Sequence, residues 1–192
     1  MRTWASDTAF DYRRFTFETA DAFIAFHFDG ATRAAFRKCG VPAMQADFFR
    51  YCALFVSGGI YVDADTENGG GLPQFIAKCE RAMLMNRQAK VANDFLYFRN
   101  AHDPLLKVII SQAVENIEKR VSNNVWLVTG PGIMTQLYQD PSRADLFAGI
   151  SIRPARDVRK HVKFRHDLAY KSGSDDWRKA LDKDASSIFS DN

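Results

Sequence analysis

Hydrophobic and polar positions divide the chain into alternating helical and extended stretches. Over 43–56 the residues Phe48, Tyr51, Cys52 and Phe55 recur at the i, i+3, i+4, i+7 spacing of a helix with one buried stripe. Pro42 suits the first turn of that helix, where its missing N–H leaves no bond unmade, and Gly58 stands where a left-handed C-terminal cap is expected. Asp47 and Arg50 lie one turn apart on another face and can point together into a cleft. After two glycines, Ile60, Tyr61 and Val62 read as a short interior strand. Further helices are predicted over 19–28 and 31–38, ending near Gly30 and Gly40, and strands over 81–85 and 95–98. Asp103-Pro104 opens a long amphipathic helix carrying Leu105, Val108, Ile109, Ala113 and Ile117, which ends before Asn123-Asn124. Gly69-Gly70-Gly71-Leu72-Pro73 reads as a flexible surface loop.

Composition sets the scale. At 192 residues and 46% hydrophobic, with sixteen phenylalanines, the chain is sized for one α/β domain over 1–184 with an aromatic-rich core, followed by a disordered tail over 185–192. The formal charge of +3 is spread among acidic residues, apart from Arg13-Arg14 and a basic cluster over 153–165, which argues against nucleic acid as the main partner. That cluster is either a solvated face or a patch toward anionic phosphate or a membrane surface. Cys39, Cys52 and Cys79 form no Cys-x-x-Cys arrangement and suit reduced thiols in cytoplasm. No apolar run reaches the length of a membrane span, and the first residues lack the apolar core of a signal peptide.

The candidate chemistry lies at the end of the 60–62 strand. Asp63-x-Asp65 places two hard carboxylates at a strand end, where ligands of open α/β sheets bind, and leaves coordination positions of Mn2+ or Mg2+ open for phosphate oxygens and water. Taken alone, an Asp-x-Asp often does no more than solvate a turn, and an i, i+3 Asp–Arg pair is usually a surface ion pair.

Taken together, Asp47-x-x-Arg50-Tyr51, Gly58-Gly59-Ile60-Tyr61 and Asp63-x-Asp65 resemble the glycosyltransferases with a DXD sugar-binding region, the group of capsular polysaccharide and initiating mannosyltransferases. Clostridial toxin glucosyltransferases are similar too, with the same sixteen-residue step from the helical aspartate to the first DXD aspartate. The dense match covers about 45–66, with weaker echoes to the C-terminus. The resemblance implies a GT-A-like mixed sheet flanked by helices, a nucleotide-sugar donor, a glycan or other hydroxyl acceptor, and transfer with retained configuration. It implies that Asp63 contacts the donor ribose and the metal, that Asp65 holds the metal, that Asp47, Arg50 and Tyr61 also serve the donor, and that Asp47, Arg50, Asp63 and Asp65 form the catalytic set.

More distant segments extend the resemblance. Thr129-Gly130-Pro131 before a short helix near Ile133 resembles the family's Thr-Gly-Pro segment, and Asn93 its donor-contacting asparagine; either also fits a plain turn. His166 resembles the family's C-terminal metal-binding histidine, with His161 the other candidate, and Trp177 the tryptophan near the diphosphate. The family's opening Pro-x-x-Ile-His-x-x-Trp strand has no counterpart, so the chain is expected to be N-terminally truncated relative to the family: either a fragment, or a chain whose start is misassigned, or one whose base pocket is remodelled. Two alternatives stay open: a haloacid-dehalogenase-like phosphatase with Asp63 as nucleophile and Asp65 as general acid, and a non-catalytic nucleotide-sugar-binding remnant.

Overall fold

A computed structural model describes residues 2–165, 167 and 187–190. In chain order the elements are α1 (Arg2–Ala5), α2 (Phe17–His27), α3 (Gly30–Arg37), α4 (Pro42–Ser57), β1 (Gly59–Val62), β2 (Thr66–Asn68), α5 (Leu72–Ile76), β3 (Ala82–Arg87), β4 (Lys90–Phe98), α6 (Pro104–Glu118), α7 (Val125–Val128), α8 (Pro131–Gln139), β5 (Ile150–Pro154), α9 (Ala155–Val158) and β6 (Val162–Phe164). Helix starts follow local chemistry. Thr16 and Thr19 form a reciprocal cap on α2, Asp29 accepts from the Thr32 N–H at α3, and Asp103 accepts from the Leu105 N–H at α6.

The fold is mixed α/β. A four-stranded sheet runs in the order β1-β4-β3-β5, antiparallel except for the parallel β3–β5 pair, and β2 with β6 forms a separate antiparallel ribbon. Both faces of the sheet are covered, because alternate residues of β3 and β4 feed two cores. Ala82, Leu84, Leu96 and Phe98 pack among α2, α3, α4, α6 and α8, while Met83, Met85, Phe95 and Tyr97 pack with Trp4, Leu72, Val158 and Val162 on the other side.

One irregularity shapes the sheet. Leu84 pairs with Leu96, but the next residue of β3, Met85, pairs with Ala92, so Asn93, Asp94 and Phe95 bulge away from β3. Phe95 keeps its place opposite Val62 of β1, and the bulge turns Asn93 and Asp94 toward the end of β1. The C-terminal ends of β1, β3 and β5 lie at this same end of the sheet, as their pairing directions require.

Several expectations are corrected. The strand predicted as interior is the edge strand β1, exposed at Gly59 and only part-buried beyond it. Its apolar side chains are covered from the faces, and its outer edge opens on a cavity of about 1060 Å³ lined on the far side by the coil before α2. The strands expected over 81–85 and 95–98 are longer and form one hairpin through Gln88 and Ala89, a turn without glycine or asparagine in which Gln88 takes a positive φ of 57°. In the triglycine segment, the Gly69 N–H donates to the His161 carbonyl at 2.7 Å, and Leu72 begins α5 fully buried, so only its glycines remain loop.

The tail expectation also fails over 187–190. Ile188 is fully buried and Phe189 nearly so; the Gly40 N–H donates to the Ile188 carbonyl, and the Ser190 N–H to the Lys38 carbonyl. Gly40 permits this approach, since a Cβ there would sit 2.7 Å from the Ile188 carbonyl oxygen. Residues 185 and 186 lie outside the described residues.

Ile188→Ala is therefore expected to lower unfolding stability in urea by about 2–4 kcal/mol, as for a core truncation. A change below about 0.5 kcal/mol would mean that this segment is not part of the folded core.

Candidate functional site

The site is organised around one buried guanidinium. Arg50, on α4, is only 4% exposed, and its Nη2 pairs with Asp47 Oδ1 at 2.8 Å. Its Nη1 donates to the Asn93 carbonyl in the β4 bulge at 2.5 Å and lies 3.3 Å from Asp63 Oδ1, while Nε donates to the Ala46 carbonyl. The guanidinium also stacks 4.4 Å over the Tyr61 ring. With five N–H groups and these partners, little of the fork is left for a ligand. One side chain thereby ties α4, the end of β1 and the β4 bulge together. The pair is not a solvated i, i+3 bridge, because Asp47 is itself 8% exposed.

The neighbouring groups complete a connected polar cluster. Asn93 Nδ2 donates to Asp47 Oδ1 and to the Tyr51 hydroxyl, both at 2.9 Å, and the Tyr61 hydroxyl donates to Asp63 Oδ1 at 2.9 Å. All these contacts of Asp47 use Oδ1, which leaves Oδ2 for another partner. Burial raises the Asp47 carboxyl to about 6 against the pull of Arg50 and Asn93. Asp63 is also raised, by burial first, with Arg50 and Tyr61 opposing. On Arg50 burial disfavours the charge, but Tyr61, Asp47 and Asp63 more than offset it, and its affinity for the proton is raised.

The Asp63–Asp65 turn is pinned at its backbone. The Thr66 hydroxyl and N–H both bond to the Asp63 carbonyl, and Trp4 Nε1 in turn donates to the Thr66 hydroxyl. The Asp63 N–H donates to the Asp94 carbonyl, and the Arg165 N–H to the Asp65 carbonyl. Asp94 thus joins the site from the bulge; its carboxylate pairs with Arg87, while Oδ1 is buried and lacks a hydrogen-bond partner. Sequence reasoning missed Asp94, and its only signal was adjacency to Asn93.

Among the described residues no three His, Cys, Asp or Glu side chains cluster as a metal cage. A two-carboxylate donor set nevertheless fits Mg2+ or Mn2+, which keep several ligand positions for water and phosphate. Asp63 can contribute Oδ2, since Oδ1 is held by Tyr61 and Arg50.

The structure thus brings Asp47, Arg50, Tyr61, Asp63 and Asn93 together, with Asp65 two residues on. Thr129 is fully buried and its hydroxyl has no hydrogen-bond partner; no contact ties it to this cluster. His161 is engaged elsewhere, with Nδ1 on the Gly70 carbonyl at 2.8 Å and its ring stacked on Phe75. His166 and Trp177 lie outside the described residues.

Comparison with known proteins bears out the resemblance. Residues 7–82 match the family described as glycosyltransferase sugar-binding region containing DXD motif, a span that takes in Asp47, Arg50, Asp63 and Asp65 and stops before Asn93. A solved structure, "PaToxG Glycosyltransferase", is similar at 24% identity over 56% of this chain and 42% of its own, with a TM-score of 0.43. The chain therefore spans less than half of that protein's length. No curated protein matches.

The electrostatics predict an asymmetry between the two ion-pair partners. Arg50→Met leaves Asp47 and Asp63 buried beside no cation and is expected to cost about 3–5 kcal/mol. Asp47→Asn keeps the shape, and Arg50 retains Asp63. The folded-state pKa of Asp47 is raised above its unfolded value, so its contribution to stability is present below about pH 4 and lost as pH rises through about 6. Relative to the wild type, Asp47→Asn should gain up to about 3 kcal/mol between pH 4 and pH 7.5 in urea titrations. A variant that loses stability over that interval would reverse the assignment.

Proposed function

We propose that the chain is a metal-dependent glycosyltransferase domain that takes a sugar from a nucleotide-sugar donor bound at the end of β1. The single observation carrying this reading is the buried Arg50 cluster, which aligns the helical Asp47 with the strand-end Asp63 inside the segment that matches the DXD family. In this reading Asp63 and Asp65 hold Mn2+ or Mg2+ against the donor diphosphate. When bound, such an ion would supply positive charge against the leaving nucleoside diphosphate.

The chain's own residues supply position and field. Asp47 Oδ2 accepts a hydrogen bond from a hydroxyl of the donor sugar, and Asn93, which holds Oδ1, fixes the carboxylate's orientation. Arg50 is the positioning residue that keeps Asp47 and Asp63 apart from each other's charge. Tyr61 orients Asp63 through its hydroxyl and screens Arg50 with its ring. Trp177 completes the donor contacts in this proposal and His166 the metal ligands, while the fully buried Thr129 has no part in it.

A hexosyl donor, a glycan or other hydroxyl acceptor, retained configuration and a role in polysaccharide synthesis are parts of the same proposal that rest on the family resemblance. The domain is proposed to take in 187–190 as well as 1–184, because Ile188 and Phe189 pack into its core. The three cysteines are free and buried, which suits a reducing compartment such as cytoplasm; among the described residues no helix is long and apolar enough to cross a membrane. The phosphatase alternative is disfavoured, because it gives no role to the buried Asp47–Arg50 pair that meets Asp63 or to the family match over residues 7–82.

Calorimetry with uridine, guanosine and adenosine diphosphates checks the metal assignment. Manganese-dependent binding of at least one nucleotide is expected in the wild type and should weaken at least about tenfold in Asp65→Ala, a loss of about 1.4 kcal/mol or more. Equal metal-dependent binding by both proteins would remove Asp65 from the site.

A further inference from the structure

A second cleft opens at the same end of the sheet as Asp63. It is a shallow depression of about 560 Å³, open to solvent, between the end of β3, the β3–β4 turn and the start of α9, and it is lined by Arg87, Arg156, Arg159, Gln88 and Pro154. The guanidinium of Arg87 is engaged by Asp94, whereas Arg156 and Arg159 each carry a planar fork matched to phosphate or carboxylate, the donor geometry an oxyanion site needs. Arg156 and Arg159 are exposed, and among the described residues neither is paired with a carboxylate. The acidic residue of α9, Asp157, is taken by Lys160 at 2.9 Å.

The cleft is coupled to the candidate donor site. Arg87 pairs with Asp94, and the Asp94 carbonyl accepts from the Asp63 N–H. Arg87 also lies 5.6 Å from the centre of the Phe164 ring, in the strand whose next residue, Arg165, binds the Asp65 backbone. Strand order sets a lower limit on the separation: β3 and β5 lie two and three places from β1, so the cleft sits at least about 10 Å from the DXD turn. That distance is too long for the diphosphate held at Asp63 and Asp65, and it suits the far end of a second substrate. Gln88, whose φ of 57° is uncommon for a residue with a side chain, also lines the cleft.

We propose that this cleft is the acceptor subsite, and that the acceptor carries an oxyanion, phosphate or carboxylate, held by Arg156 and Arg159 with Arg87 at its inner wall. The proposal rests on the donor assignment above, because the acceptor role follows from the cleft's place beside that site. The function of the basic cluster over 153–165 is thereby divided: Arg156 and Arg159 face a ligand, while Lys160 and Arg165 are engaged in local ion pairs.

The test titrates the full chain with glucose 6-phosphate, glucuronate and uncharged glucose, followed through the side-chain Nε–Hε resonances of arginine. The two charged probes are expected to bind saturably, to shift the Arg156 and Arg159 resonances, and to bind more weakly as salt is raised. Affinity should fall about tenfold or more in Arg156→Ala/Arg159→Ala and remain unchanged in Asp65→Ala. Preference between the phosphate and carboxylate probes identifies which oxyanion the acceptor bears. Equal binding by the wild type and the double variant, equal binding of glucose, or loss of binding in Asp65→Ala would overturn the proposal. The titration needs neither donor nor metal, so its failure is distinct from a failure of the donor assignment.

Discussion

The site depends on one buried charge. A guanidinium sealed from water is stable only if its N–H groups find partners, and Arg50 finds them on three separate elements: Asp47 and Ala46 on α4, Asn93 in the β4 bulge, and Asp63 at the end of β1. Its burial therefore requires the bulge, since Asn93 would otherwise continue the pairing of β4 with β3. It also requires β1 to end at Asp63. Local geometry that would be optional in a fold held by apolar contacts is thus fixed by the need to satisfy a cation.

That constraint has an electrostatic consequence. Two carboxylates near one arginine are both pushed toward the neutral form by burial, and Arg50 limits the push. Asp47 is left near the border between charge states, oriented through Oδ1 and available through Oδ2. Asp63 is held in the same way by Tyr61 and Arg50. Removing water from such a cluster strengthens each hydrogen bond that a polar ligand makes with it. The anionic ligand proposed for the neighbouring cleft would meet the opposite field, that of Arg156 and Arg159 in solvent.

Much of this was legible in the sequence wherever a pattern reports on local chemistry. The extent of α4, the separation of Asp47 and Arg50 from its apolar stripe, and the placement of Asp63 at a strand end all follow from periodicity and from the bracketing Pro42 and Gly58. Gly58 does take a positive φ, although its ψ of −153° lies outside the left-handed helical cap that was expected. Lateral neighbours are a different matter. The apolar run of β1 encodes that its faces are covered, which an edge strand under α4 and α5 satisfies as well as an interior one. The β3–β4 turn escaped because Gln88 adopts a positive φ without the glycine or asparagine that signals one. Asp94 gains its place from a three-residue bulge, a register property that no single strand displays. Ile188 and Phe189 sit in a polar stretch, and their docking depends on the close approach that Gly40 allows.

The central claim is that the Arg50 cluster and the Asp63–Asp65 turn form one donor site. Its most direct test is a crystal structure with manganese and a nucleotide-sugar donor, read through the anomalous signal of the metal. The account predicts one strong peak within about 2.2 Å of carboxylate oxygens of Asp63 and Asp65, with the donor sugar against Asp47. A peak elsewhere, or a donor bound away from Asp47, would contradict it.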